Sequence, residues 1–151
     1  IPDEHIFFCE NSAVNAILSY FSEQARTFGI TYSVSALIPK HISISETDLS
    51  ILFGNLLENA IDACNTQPGE NKKIIVRAKT DNHSLCVTID NTFSGSLDID
   101  QEGHFVSSKH EGLGLGTESI KSIAEKYGGV CQFEANNGMF YASVMCFKDH
   151  V

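Results

Sequence analysis

The sequence has 151 residues, 42% hydrophobic and 19% charged, which suits a single domain with a substantial core. A formal net charge of -9 argues against a nucleic-acid or anionic-membrane surface. It does not exclude ATP, because local backbone dipoles bind phosphate even on an acidic protein.

Residues 1–10 carry no clear pattern and serve as a lead-in. Asn11 or Ser12 caps a predicted helix running to about Phe28, with Val14, Ile17, Leu18, Phe21, Ala25 and Phe28 on its apolar stripe. Gly29 closes that helix. Ile30 to Ile38, rich in β-branched and aromatic residues, predicts a strand. Ser45 and Asp48 approximate a capping box for a second helix that ends near Asn65.

Within this second helix, Leu49, Leu52, Phe53, Leu56, Ala60 and Ala63 form a buried stripe. Asn55, Asn59 and Asp62 fall at i, i+4 and i+7 and form a second, polar stripe. Asparagine is a mediocre helix former, so two of them beside a core face suggest amide oxygens aimed at a ligand or a metal-bound water. A solvated helix face is the alternative. Magnesium prefers oxygen donors and keeps several waters when it accompanies substrate phosphates.

Lys73 to Lys79 and Leu85 to Ile89 alternate as strands, with a turn at Asp81-Asn82-His83. Val87-Thr88-Ile89-Asp90-Asn91 is expected to be a strand ending in an acid. Residues 92–111 show little periodicity and predict a long functional loop, such as a lid. Gly112-Leu113-Gly114-Leu115-Gly116 is expected to be a turn ahead of a helix from Thr117 to Tyr127, closed by Gly128-Gly129. Backbone amides there would cradle phosphate. A purely structural glycine turn is the alternative. Val130 to Ala135 and Phe140 to Phe147 form a hairpin around Asn136-Asn137-Gly138.

The order of the asparagine helix, the strand with its acid, and the GLGLG stretch resembles the ATP-binding domain of the GHKL superfamily. That group holds sensor histidine kinases, gyrase-type ATPases, a heat-shock chaperone and mismatch-repair ATPases. The segments LFGNLLENAIDAC and GLGLGTESIKSIAEKYGG are most similar to accessory-gene-regulator (Agr)-type quorum-sensing kinases. The resemblance covers about Glu10 to Phe147. It implies a Bergerat-type α/β fold: a two-layer sandwich of a mixed, largely antiparallel sheet with helices on one face. It also implies one catalytic domain over 1–151.

By that resemblance Asn59 holds Mg2+, with Asn55 adding an oxygen directly or through water. Asp90 accepts a hydrogen bond from the adenine amino group. Gly112, Leu113, Gly114 and Leu115 bind phosphate through their backbone, and Lys109 is the local cation for a phosphate. The family's D-x-G-x-G pattern is altered, with Thr92 and Ser94 at the glycine positions counted from Asp90. In the gyrase and chaperone members, the position four before the metal asparagine is a glutamate that activates water; here it is Asn55.

The implied activity is transfer of the ATP γ-phosphoryl group to a histidine on a separate dimerisation domain, then signalling to a response regulator. The alternatives are a GHKL ATPase, an anti-sigma-type serine kinase, or a docking module without catalysis. The chain contains no signal peptide and no apolar run long enough to cross a bilayer. Its five scattered cysteines suit a reducing compartment. The expectation is a cytoplasmic piece of a membrane-anchored bacterial sensor.

Overall fold

The computed structural model describes residues 6–94, 98–99, 105–106 and 111–147, with backbone alone for 98–99, 105–106 and 111–115. In chain order the elements are α1 (Ser12–Thr27), β1 (Thr31–Leu37), α2 (Glu46–Asn65), β2 (Lys73–Thr80), β3 (Ser84–Thr92), β4 (Asp98–Ile99), β5 (Phe105–Val106), α3 (Glu111–Lys126), β6 (Val130–Asn136) and β7 (Met139–Phe147). Five strands form one sheet in the order β1-β2-β3-β7-β6. Only the β1–β2 pairing in it is parallel; the other three are antiparallel. This is the mixed, largely antiparallel sheet that the resemblance implies.

The helices cover one face. Strand alternation sends Ile74, Val76 and Ala78, then Leu85, Val87 and Ile89, then Phe140, Ala142, Val144 and Cys146 into the core. Leu49, Leu52, Phe53, Leu56, Leu57 and Ala60 of α2 and Ile120, Ile123 and Ala124 of α3 meet them there. Burying each such side chain stabilises the fold by roughly 1.5–3 kcal/mol before chain entropy is charged against it.

Local signals act where the chain turns. Asn11 caps α1 by accepting from the Val14 amide, and Ser45 caps α2 by accepting from the Asp48 amide. Gly29 and Gly128 take the left-handed conformation after α1 and α3. Asn137 and Gly138 both have positive φ, the requirement of a two-residue hairpin turn between β6 and β7. All five cysteines are free thiols; burial pushes the Cys146 thiol up to about 11.

Two expectations about element limits change. β3 continues through Asp90 to Thr92, because Ile74, Ile75 and the β7 residues Met139 to Tyr141 supply partners there. The 92–111 stretch is not uniformly irregular, since β4 and β5 pair as a short antiparallel ladder. The rest of that expected lid lies outside the described residues.

A polar cluster joins α2 to α3 at the far end from the glycines. Asp48 is only 7% exposed, and its carboxylate accepts from the Tyr127 hydroxyl and, at 2.8 Å, from Lys126 Nζ. The Ser45 amide donates to the Tyr127 oxygen at 3.2 Å. Asp48 therefore does not complete a capping box; its carboxylate is spent on α3. Lys126, then Tyr127, holds the Asp48 carboxyl below the usual carboxylate range. The folded state favours the ionised form, so this stabilisation is present above the unfolded carboxylate pKa of about 3.9. It is lost as pH falls through the lowered folded value. Asp48→Asn should cost about 1–2 kcal/mol at pH 7, the gap between a charge-assisted and a neutral hydrogen bond. Denaturant melts at pH 7 and pH 3 check this: the gap to wild type should shrink at pH 3. An equal gap at both would remove the charge from the explanation.

Candidate nucleotide site

The two polar motifs of the sequence meet between α2 and α3. Asn59 is 8% exposed, on the middle of α2. A Cβ placed on Gly116 would sit 3.0 Å from Asn59 Oδ1 and 3.3 Å from its Nδ2. Glycine at 116 is what lets the α3 backbone come that close, so the Asn59 carboxamide lies where a side chain would otherwise be. Asn55 is one turn earlier on α2 and half-buried; Asp62 is half-buried and Glu58 exposed. The polar stripe is thus not a fully solvated helix face, since its central residue is packed under α3.

The glycine stretch differs from the expected turn. α3 begins at Glu111, so Gly112, Leu113, Gly114, Leu115 and Gly116 are helical. Three glycines each cost about 1 kcal/mol relative to alanine in a helix, which is why propensity alone starts the helix at Thr117. Packing on α2 overrides that cost. The unsatisfied amides move with it: those of the first turn of α3 lack intrahelical acceptors and carry the positive end of the helix dipole. Lys109 lies outside the described residues.

Asp90 is not brought to this site. β3 alternates, and Asp90 falls with Cys86 and Thr88 on the sheet face opposite the helices. There it pairs with Arg77 at 3.3 Å. The residue on the helix side is its neighbour Asn91, at 1% exposure. The sequence contains the signal for this: Leu85, Val87 and Ile89 point to the core, and a period of two carries that face to 91. Counted from Asn91 instead, the altered glycine pattern has Phe93 and Gly95 at its glycine positions. Phe93 packs edge-on against Phe140, 6.4 Å between centroids.

Asn91 sits beneath the C-terminal half of α2. The next carbonyl, of Thr92, accepts from Asn91 Nδ2 at 2.9 Å and from the Cys64 thiol at 3.5 Å. Cys64 is on α2, five residues beyond Asn59.

Residues 44–146 match the GHKL domain family, about two thirds of the chain and every element that forms this site. The chain belongs to the GHKL domain family. A probable C4-dicarboxylate sensor kinase of Bacillus subtilis (strain 168) is 25% identical over 138 residues, covering 85% of this chain. The chain spans a quarter of that relative's length. Among solved structures, a nucleotide-free catalytic domain of the histidine kinase ThkA is 21% identical with a TM-score of 0.72, covering 91% of this chain and 93% of its own. ThkA in complex with the response regulator protein TrrA gives 20% identity and a TM-score of 0.68, covering 93% of this chain and 41% of its own. These structures share the fold of this GHKL domain.

The residues present suit magnesium carried by a nucleotide. Asn59 and Asn55 offer neutral amide oxygens, which do not repel a triphosphate. Among the described residues no cluster of three or more histidine, cysteine, aspartate or glutamate side chains is poised to hold a metal alone. Donors of this kind fit an ion whose remaining ligands are phosphate oxygens and water.

Proposed function

We propose that this GHKL domain is the ATP-binding catalytic domain of a sensor histidine kinase. The observation that carries the reading is the packing of Asn59 against Gly116, which joins the amide stripe of α2 to the amide-rich start of α3. The first-turn amides of α3 bind phosphate oxygens, and Asn59 and Asn55 hold the magnesium. Magnesium supplies neutralisation of the triphosphate charge. The domain orients the γ-phosphoryl group so that a histidine nitrogen of a separate dimerisation domain attacks in line. A P–N bond forms as the bond from the γ-phosphorus to the bridging oxygen breaks, and ADP leaves.

The LFGNLLENAIDAC and GLGLGTESIKSIAEKYGG segments support an accessory-gene-regulator-type quorum-sensing kinase. In that setting the domain works in the cytoplasm beside a membrane-anchored sensor, and the histidine passes its phosphoryl group to a response regulator. No helix among the described residues is long and apolar enough to cross a membrane.

The test is calorimetry with Mg-ATP, followed by transfer of labelled γ-phosphoryl to a supplied histidine-bearing helix domain of the same protein. Binding with transfer supports the kinase. Binding without transfer to any such domain points to the docking module, and no binding overturns the nucleotide reading.

A further inference from the structure

We propose that the open face of the sheet is a self-association surface, on which a second copy of this chain docks face to face. The strand register carries the proposal. Leu37, Lys79, Cys86, Met145 and Val130 stand side by side in one row across all five strands. Each alternates away from the helices, so the row lies on the face opposite them. Leu37 is 72% exposed and Val130 61%. Phe147, two residues on from Met145 along β7, adds a further exposed apolar group. Lys79 interrupts the row only with its charged tip, since its stem is aliphatic. Soluble monomers rarely leave an apolar band of this extent in water.

The strand order suits a two-fold axis. β3 is central in the order β1-β2-β3-β7-β6. An axis running nearly along β3, between two facing sheets, sets β1 over β6 of the second copy and β2 over its β7. The same surface then serves both copies. Leu37 meets Val130 of the second copy at both ends of the row, and Cys86 meets Cys86. The charges agree with this arrangement. The cations of the face, Lys73, Arg77 and Lys79, are all on β2. They land on Met139, Tyr141, Ser143 and Met145 of the second copy, which are uncharged. Glu134 lands on Ser33. Asp90 meets its own counterpart, but each is paired with Arg77 at 3.3 Å. Turning the second copy end over end would set β2 on β2 and oppose the cations. An acidic partner would oppose Asp90 and Glu134. The face is about 20 by 25 Å, so mating two copies buries on the order of 1,000 Å², the small end for a specific interface. Association should therefore be weak, half complete on the order of 100 µM. The site between α2 and α3 lies on the other side of the sheet, so the proposal stands without the nucleotide reading.

The test is sedimentation equilibrium of the 151-residue chain from about 10 µM to about 1 mM. The mass should rise from one chain toward two. The formal charge of -9 on each copy opposes association, so the dimer should tighten severalfold from about 50 mM to about 500 mM salt. Leu37→Glu with Val130→Glu sets like charges opposite each other and should leave single chains throughout. Leu37→Lys with Val130→Glu keeps the wild-type net charge and sets opposite charges together. It should associate about tenfold or more tightly than the double glutamate variant. Both positions are exposed, so folding is retained, and circular dichroism checks it. Wild type that stays a single chain overturns the proposal. So does association that survives the double glutamate variant, which would place the contact elsewhere. A lysine–glutamate variant no tighter than the double glutamate one overturns the face-to-face arrangement. Single chains that bind phosphatidylglycerol vesicles through Leu37 and Val130 would assign the face to a membrane instead.

Discussion

Gly129→Ala should cost more than about 3 kcal/mol of stability, beyond the usual range for a single added methyl in a packed site. A Cβ at 129 would lie 1.7 Å from the Met145 carbonyl oxygen and 2.7 Å from its carbon. Both atoms belong to the β7 backbone, which is paired on both sides by β3 and β6. No side-chain rotation relieves such an overlap; the α3–β6 connection must move off the sheet. Gly128 provides the contrast. It has φ +69, and alanine there meets a conformational penalty of about 1–2 kcal/mol. Thermal and denaturant melts of the two variants separate space from conformation. Comparable losses at 128 and 129 would mean that the chain absorbs the Met145 contact easily.

That contact also concerns the site. α3 is fixed at its C-terminal end by Gly129 on β7, by the Phe147 amide donating to the Tyr127 carbonyl, and by Asp48 holding Lys126 and Tyr127. Its N-terminal half contains Gly112, Gly114 and Gly116, which contribute little intrinsic helix stability. The end that meets Asn59 is therefore the end whose position depends most on packing. Displacing the anchored end by a methyl group should disturb the Asn59–Gly116 contact at the other end of α3.

Most of the fold was legible because it rests on local and periodic signals. Asn11 and Ser45 as caps, Gly29 and Gly128-Gly129 as stops, and Asn137-Gly138 as a hairpin turn each follow from short-range chemistry. Alternation placed β2 and most of β3 correctly. Where tertiary partners decide, the sequence was a weaker guide. The last residues of β3 are strand because β2 and β7 are there to pair with them. The glycines of α3 are helical because α2 lies alongside, against their own preference. Asp90 matches the family's adenine-reading acid by its place at the end of an apolar run, whereas its side chain pairs with Arg77 on the open face. Asn91 is a small neutral residue next to an acid, and only counting the pleat from Ile89 distinguishes the two. Asn59 stands out in the sequence as one of two amides beside an apolar helix face, a pattern a solvated face could also explain; its closeness to Gly116 depends on the packing of two helices.

The isolated chain should bind Mg-ATP yet hydrolyse it at a negligible rate and not label itself. Hydrolysis needs a base to take a proton from water, and general-base catalysis of this kind contributes about 10²–10⁴-fold. The resemblance places a water-activating glutamate four residues before the metal asparagine in gyrase- and chaperone-type members. Here that position is Asn55, whose amide does not accept a proton from water near neutral pH. Glu58 does not substitute: it is exposed and about 100° around α2 from the buried Asn59. An amide at 55 suits a transfer enzyme, which gains from leaving ATP intact until a histidine arrives. Asn55→Glu should then raise hydrolysis by about tenfold or more, since it restores a carboxylate at that helix position. Asn59→Ala should instead abolish transfer to the histidine-bearing helix domain by removing the buried amide oxygen. Phosphate-release and labelled-ATP assays on preparations free of contaminating ATPase measure both. Steady turnover by the unmodified chain alone would overturn the kinase reading in favour of an ATPase. An Asn59→Ala chain that still transfers at the wild-type rate would remove Asn59 from the site, whatever its distance from Gly116.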